Sequence, residues 1–260
     1  MALDPRLVAA LHVEVATRGA PGLRAHAHRA VQTSTLSALL DGAYDGGLTI
    51  AELLAAGDLG LGTLNGLDGE LIVVDGEAWQ GRTDGTVRRV DPGERTPFAV
   101  VVPFAPDVSE RVTAPLGHEA LLARLEDLCP AGPGCDSVRI DGTFATVHAR
   151  SVPRQDPPYR PLAEVVAEQS DFTFRRVHGT VVGFRFPAVA DGVELVGHHL
   201  HFIDAGRERG GHVLSCALEE GTIGVERVDQ LHLELPPGVV LPDPAAPSRN
   251  DEVQRLEGEG

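Results

Sequence analysis

Short apolar segments separated by turns that contain glycine or proline recur along the chain, a pattern that favours many short β-strands over long helices. Between residues 68 and 90, three Asp-Gly dipeptides alternate with short segments of four or five residues, at 71–74, 77–80 and 86–90. Asp-Gly is typical of the tight turns that connect antiparallel strands. We therefore expect a meander over this region, followed by a further strand over residues 98–104.

The second half of the chain continues in the same way. We expect residues 138–140 and 143–152 to form a hairpin that turns at Asp141-Gly142. A proline-rich connector follows over residues 152–161, and successive strands with glycine-containing turns are predicted from residue 172 to residue 235.

A few short helices interrupt the strands. Residues 34–40 and 162–169 each have the pattern of a short helix. Thr49 and Glu52 form a capping box, which predicts a helix of about two turns from that point. Leucines spaced three and four apart over His118–Leu128 predict an amphipathic helix.

The proline-rich connector is the clearest candidate for a domain boundary. We expect an N-terminal extension over residues 1–30, a first β-rich lobe over residues 31–160 and a second over residues 161–260. The second lobe carries a cluster of histidines, and we expect its C-terminal tail to be functional.

Composition limits the chemistry that this protein can perform. The 260 residues are 42% hydrophobic, enough for a substantial core, and the net charge of −16 repels nucleic acid and anionic membranes. All 22 basic residues are arginine. The absence of lysine excludes Schiff-base chemistry, pyridoxal phosphate catalysis and a Walker-type phosphate loop. An anionic substrate must therefore be held by a metal or an arginine.

The cysteines and the N-terminus bear on the compartment. The three cysteines are an odd number without CxxC spacing, which indicates neither a disulfide framework nor a thiolate zinc site. The first 18 residues carry charges and lack the apolar region of a signal peptide, and no window has transmembrane length. We expect a cytoplasmic protein.

The most informative segment is the histidine-rich one from Gly197 to His212. Alternate side chains of a strand share a face, so His199 and His201 point the same way and His198 points the opposite way. A hairpin would bring His212 beside them. Three neutral imidazoles match the ligand set of a catalytic zinc site, although strand histidines are also common as hydrogen-bonded filler.

Several longer motifs resemble those of the α-acetolactate decarboxylases. The resemblance runs from about Gln32 to the C-terminus and does not include residues 1–30. The motifs are STLSALLDGAYDG at 34–46, DLGLGTLNGLDGEL at 58–71, RTPF at 95–98, RSVP at 150–153, and GHHLHF at 197–202 continuing to Gly-Gly-His212. As a set these motifs are highly specific.

The resemblance implies a fold and a site. The fold is α/β but β-rich, with two lobes built on mixed or antiparallel sheets, a few short helices and a zinc site between the lobes, usually in a homodimer. The implied zinc ligands are His199, His201 and His212. The other implied site residues are Glu70 reaching the metal, Arg150 as the essential arginine, Thr63 in the pocket, and Glu257 as a second acid, for which Glu259 is the competitor.

Without the resemblance, these last residues have ordinary interpretations. On that basis, Glu70 would be a solvated strand residue, Arg150 would belong to an exposed strand face, and Thr63 would be an ordinary β-branched residue of a strand. Nothing in the spacing of the sequence joins them to the histidines.

The reaction implied is the decarboxylation of (S)-2-acetolactate, a small anionic 2-hydroxy-3-oxo acid, to (R)-acetoin and carbon dioxide through an enediolate. Because the chain has no lysine to form an iminium, the electron sink must be electrostatic, and zinc is suited to that role. Arg150 would neutralise substrate or intermediate, and Glu70 and Glu257 are both candidates for proton transfer.

Two other functions fit the histidine pattern. A cupin-like metal oxygenase or isomerase also uses His-x-His on a strand, but usually with a glutamate four or five residues later, where this chain has Ala205 and Gly206. The other alternative is a non-enzymatic β-rich binding protein with structural histidines. Metal analysis would distinguish the three functions: bound zinc supports the decarboxylase, iron supports the oxygenase or isomerase, and no metal supports the binding protein.

Overall fold

Two β-sheets form the framework of the molecule, which confirms the predicted β-rich fold with few short helices. The computed structural model describes residues 4–10, 12–17, 25–129, 134–243, 245, 247–249 and 252. The larger sheet has eight strands and the smaller has five. Within the described residues the helices are few and short, and none is long and apolar enough to cross a membrane.

The eight-stranded sheet has the order β1-β15-β2-β9-β4-β5-β6-β7. It is mixed, because β15 runs parallel to both β1 and β2 while the other neighbours are antiparallel. Its strands are β1 (His12–Thr17), β2 (Arg29–Thr33), β4 (Leu59–Thr63), β5 (Glu70–Val74), β6 (Glu77–Gly81), β7 (Val87–Arg89), β9 (Ala99–Val102) and β15 (Gln230–Leu235). A separate two-stranded sheet pairs β3 (Leu48–Thr49) with β8 (Arg95–Thr96).

The five-stranded sheet is antiparallel throughout, in the order β10-β14-β11-β12-β13. Its strands are β10 (Val108–Val112), β11 (Cys135–Ser151), β12 (Ser170–Phe186), β13 (Gly197–Asp204) and β14 (Gly210–Val228). Because β13 also pairs with β14, four of these strands close into a ring.

The helices lie between or beside the strands. They are α1 (Pro5–Ala10), α2 (Leu36–Leu40), α3 (Ile50–Leu54), α4 (His118–Leu128), α5 (Leu162–Val166) and a 3₁₀ turn over Ala188–Ala190. The predicted amphipathic helix is confirmed as α4, which buries Leu121 and Leu125. The predicted capping box is also confirmed, since Thr49 and Glu52 cap α3 reciprocally.

One hydrophobic core lies between the two sheets. It joins Leu61 and Ile72 of the larger sheet to Phe184 and Ile203 of the smaller one. A second core lies on the opposite face of the five-stranded sheet and includes α4. Any side chain on β13 therefore points into one of two distinct environments.

The expected hairpin at Asp141-Gly142 is wrong, because β11 runs through these residues without a turn. Gly142 is paired with Gly179 on one side and Gly221 on the other. A Cβ on Gly142 would lie only 2.3 Å from the carbonyl oxygen of Glu220. The glycine is therefore required for close packing of neighbouring strands and not for a turn.

The two sheets do not correspond to continuous segments of the chain. Residues 12–17 form β1 on the edge of the eight-stranded sheet, and Leu7 of α1 is buried in the core between the sheets. β11 precedes the proline-rich connector but belongs to the smaller sheet, and β15 follows the connector but belongs to the larger one. Sheet membership is set by pairing across the whole chain.

Candidate active site and metal centre

The alternation of side chains along β13 sorts its histidines between the two cores. Ile203, on the same face as His199 and His201, packs in the core between the sheets, whereas Phe202 packs in the core on the opposite face. His201 is directly paired with His212 of β14. The expected hairpin thus places all three histidines on the face toward the larger sheet.

The three imidazoles form a compact buried group. Their ring centroids are 5.1 to 5.3 Å apart, and one ligand atom from each lies within 4.8 Å of the others. His199, His201 and His212 are 7%, 1% and 2% exposed. Three converging nitrogens at this spacing fit the three protein ligands of a catalytic zinc site, which leaves one position open.

His201 has the protonation pattern that a metal ligand needs. Its Nδ1 lies 2.8 Å from the carbonyl oxygen of Leu71. A carbonyl can only accept, so Nδ1 carries the proton and Nε2 keeps its lone pair. That Nε2 is buried and has no hydrogen-bond partner among the described residues. Burial, with His199 as a further cause, lowers the pKa of His201 well below its usual value and keeps the ring neutral.

His198 lies apart from this group, as the alternation predicts. Its Nε2 is 3.7 Å from a carboxylate oxygen of Glu126 on α4. Burial lowers the pKa of His198, although the Glu126 carboxylate opposes the shift. The same strand therefore supplies an internal control for the cluster.

The larger sheet brings an acid to the cluster. Glu70 begins β5, is 6% exposed, and places Oε2 3.6 Å from Nε2 of His201. Arg150 near the end of β11 is 2% exposed, and its Nη1 lies 3.8 Å from Oε1 of Glu70. Arg150 is also paired in register with His212. Both expected side chains thus lie beside the histidines, and neither is on an exposed face.

Thr63 stabilises the turn that directly precedes Glu70. It is paired with Glu70 across β4 and β5, and its hydroxyl donates to the carbonyl of Gly69 at 2.7 Å. The buried side chain of Gln80 donates to the carbonyl of Asp68 at 2.6 Å. Two buried hydrogen bonds therefore fix the backbone immediately before the glutamate.

A small pocket opens beside these groups. Its polar lining consists of Thr63, Glu70, Arg150 and His199. Its apolar lining consists of Leu36 and Leu39 of α2, Leu162 of α5, and Leu67, Phe98 and Val152. The pocket thus combines one cation and one acid with a wall suited to alkyl groups.

Glu257 and Glu259 lie outside the described residues. The nearest described part of the tail contacts α2: Nη1 of Arg249 lies 2.7 Å from Asp41, which caps the C-terminus of that helix. Arg249 also bonds Glu252 at 2.9 Å. The tail is therefore attached to a helix that lines the pocket.

Sequence reasoning missed several supporting groups. The carbonyl of Leu71, the amide of Gln80 and the leucines of α2 and α5 all act through tertiary contacts. A carbonyl has no signature in the sequence. The leucines lie within the STLSALLDGAYDG motif and the predicted helix at 162–169, where their apolar spacing indicated only packing.

Two sheets that meet at buried histidines, with a carboxylate and an arginine in an adjoining pocket, define the class: a β-rich enzyme with a candidate metal centre between its sheets. The sequence pattern of alpha-acetolactate decarboxylases matches residues 31–239. The chain belongs to the alpha-acetolactate decarboxylase family, whose members are carboxy-lyases.

Individual relatives agree with this assignment. The chain is 42% identical over 205 residues to the alpha-acetolactate decarboxylase of Bacillus subtilis, covering 79% of this chain and 80% of that one. It is 44% identical over 209 residues to that of Methanosarcina mazei, covering 79% and 71%. The crystal structure of the Bacillus subtilis enzyme superposes with a TM-score of 0.84 at 38% identity, covering 89% of this chain and all of that chain.

Proposed function

We propose that this protein catalyses the zinc-dependent decarboxylation of (S)-2-acetolactate to (R)-acetoin and carbon dioxide. The observation that carries the proposal is the buried group of three histidines beside the Glu70–Arg150 pair, in a chain of this family. The orphaned Nε2 of His201 supports a metal at this point. His199, His201 and His212 would hold the zinc, which supplies a Lewis acid that favours negative charge on oxygen.

The chain's own residues provide the electrostatics around the substrate. Arg150 pairs with the substrate carboxylate and later with the negative charge that develops on oxygen. When the bond between the carboxylate carbon and C2 breaks, its electron pair moves into the neighbouring carbonyl and gives an enediolate. No lysine is available for a covalent alternative.

A carboxylic acid must then deliver a proton to carbon on one face of the enediolate. Glu70 is the candidate within the described residues, since it lies against both Arg150 and His201. Glu257 on the tail is the other candidate. The apolar wall of α2 and α5 keeps water from competing as a proton source and receives the substrate's two methyl groups.

We extend the proposal to a homodimer, as the family resemblance implies, and to a cytoplasmic location. All three cysteines are free and buried, which supports a reducing compartment. Light scattering of the purified protein measures its mass, and fractionation of the native host measures its location.

The proposal is tested by incubating the purified protein with racemic acetolactate and measuring acetoin and its chirality, together with metal content. We expect release of (R)-acetoin with about one zinc per chain, loss of activity after chelation, and recovery when zinc is restored. Bound iron without acetoin formation would favour an oxygenase or isomerase, and a metal-free, inactive protein would favour a binding protein.

A further inference from the structure

The two sheets touch, backbone against backbone, immediately beside the candidate site. A Cβ on Gly81 of β6 would lie 3.2 Å from the Cα of Gly211 and 3.3 Å from the carbonyl oxygen of Gly210, both on β14. A side chain at this position would push the two backbones apart by a few tenths of an ångström. His212 follows directly, so the contact lies next to the histidine cluster.

A buried serine bridges the sheets at this contact. Ser151 is fully buried, and its hydroxyl donates to the carbonyl of Gly81 at 3.0 Å. Ser151 follows Arg150 on β11, whereas Gly81 is the register partner of Glu70. The hydrogen bond therefore connects the strand that carries the arginine to the strand pair that carries the acid.

The turn before Glu70 packs against the same point. Gly69 has φ +71°, and a Cβ there would lie 2.2 Å from the carbonyl oxygen of Gly81 and 3.3 Å from Oγ of Ser151. The serine hydroxyl, the Gly81 carbonyl and the Gly69 turn are thus mutually packed. Because Gly69 directly precedes Glu70, this packing fixes the backbone at the start of β5.

We propose that Ser151 is a positioning residue, which sets the separation of Glu70 and Arg150 through its hydrogen bond to Gly81. The inference rests on the proposed function. Glu70 and Arg150 belong to different sheets, and their side chains are 3.8 Å apart. The hydrogen bond from Ser151 to Gly81 connects these two sheets directly beside that pair. Productive geometry in active sites is held within about 0.5 Å, and a misplacement of about 1 Å can lower rates about 100-fold.

The test is Ser151→Ala, with Ser137→Ala as its matched control. Ser137 lies on the same strand, is equally buried, and donates to Glu226 at 3.3 Å, and neither Ser137 nor Glu226 lines the pocket. Both variants lose one buried hydrogen bond, so we expect similar decreases in Tm. For Ser151→Ala we expect full metal content and a kcat lowered about tenfold or more with a smaller change in KM, whereas Ser137→Ala keeps the wild-type kcat.

Two further measurements make the outcome decisive. Ser151→Thr keeps the hydroxyl and should retain most of the turnover. If Ser151→Ala fails to fold, Ser151→Cys takes its place, because a thiol of similar size is only a weak donor to the Gly81 carbonyl. Crystal structures of the wild type and Ser151→Ala should show the distance from Arg150 Nη1 to Glu70 Oε1 changed by more than about 0.5 Å. An unchanged distance, or equal kcat in the two alanine variants, overturns the inference. A wild type that makes no acetoin refutes the proposed function instead, while the crystallographic distance still tests the role of Ser151.

Discussion

Replacing Arg150 by alanine is the sharpest single test of how this site handles negative charge. The guanidinium is 2% exposed and lies 3.8 Å from the carboxylate of Glu70. At an effective dielectric constant of about 20, two unit charges at this distance attract by about 4 kcal/mol. In the proposed reaction the variant would therefore remove a contact to the substrate, and it would also remove the guanidinium that lies beside the buried carboxylate of Glu70.

The two losses are measured separately. Truncating a buried, hydrogen-bonded charge contact commonly costs about 2–5 kcal/mol, which corresponds to a decrease in kcat/KM of about 30-fold to about 5,000-fold. Acetoin release under initial-rate conditions measures this decrease, and metal analysis checks that the variant binds as much metal as the wild type. Thermal unfolding records the stability cost, because breaking a buried ion pair is itself destabilising by about 3–5 kcal/mol.

Arg139→Ala is the matched control for Arg150→Ala. Arg139 lies on the same strand and forms ion pairs with Asp75 and Asp141, and none of these three residues lines the pocket. It should lower Tm without lowering kcat/KM. Arg150→Lys keeps the charge but loses the planar fork, so its activity should fall between wild type and alanine. A zinc-replete Arg150→Ala protein within about threefold of wild-type kcat/KM would refute the electrostatic role assigned to this arginine.

Three other predictions concern the cluster, the tail and a buried acid. Alanine at each clustered histidine should remove bound zinc and activity, while His198→Ala keeps both; comparable metal loss at His198 would contradict the assignment of faces. A chain that stops after Glu257 should keep its turnover, whereas one that stops after Leu256 should lose at least about tenfold with zinc retained; equal rates would exclude Glu257 from catalysis. Burial raises the pKa of Glu226, so the stability that is present below the pKa of the unfolded chain is lost as pH rises through the raised pKa of the folded protein. Glu226→Gln should therefore raise Tm at pH 8 and lose this advantage at low pH, and a lower Tm at pH 8 would contradict the argument.

Local patterns predicted the elements whose causes are local. The leucine spacing gave α4 with the observed bounds, and the capping box gave the start of α3, because helix periodicity and capping depend on residues three or four apart. The alternation along β13 likewise separated His198 from its neighbours. Each of these predictions needs only a few consecutive residues.

The hairpin predicted at Asp141-Gly142 was wrong because pairing with distant strands determines the local structure there. Asp141-Gly142 has the composition of a turn, but Gly142 lies between two other glycines in a three-strand row. The N-terminal residues have a weak pattern, and yet β1 finds a partner in β15, more than 200 positions later in the chain. Composition reports the preference of a segment in isolation, and pairing with a remote strand outweighs it.

The contacts within the candidate site could not be predicted from the spacing of the sequence, because they join residues that are far apart along the chain. His201 and Leu71 are 130 positions apart, and their hydrogen bond requires the two sheets to face each other at one register. Glu70 and Arg150 meet under the same condition. Side-chain alternation fixes a direction within one strand but carries no information about which strand lies opposite. Gly81 and Gly211 favour the observed arrangement, because they allow the backbones of β6 and β14 to approach each other at the place where Glu70, Arg150 and the three histidines lie close together.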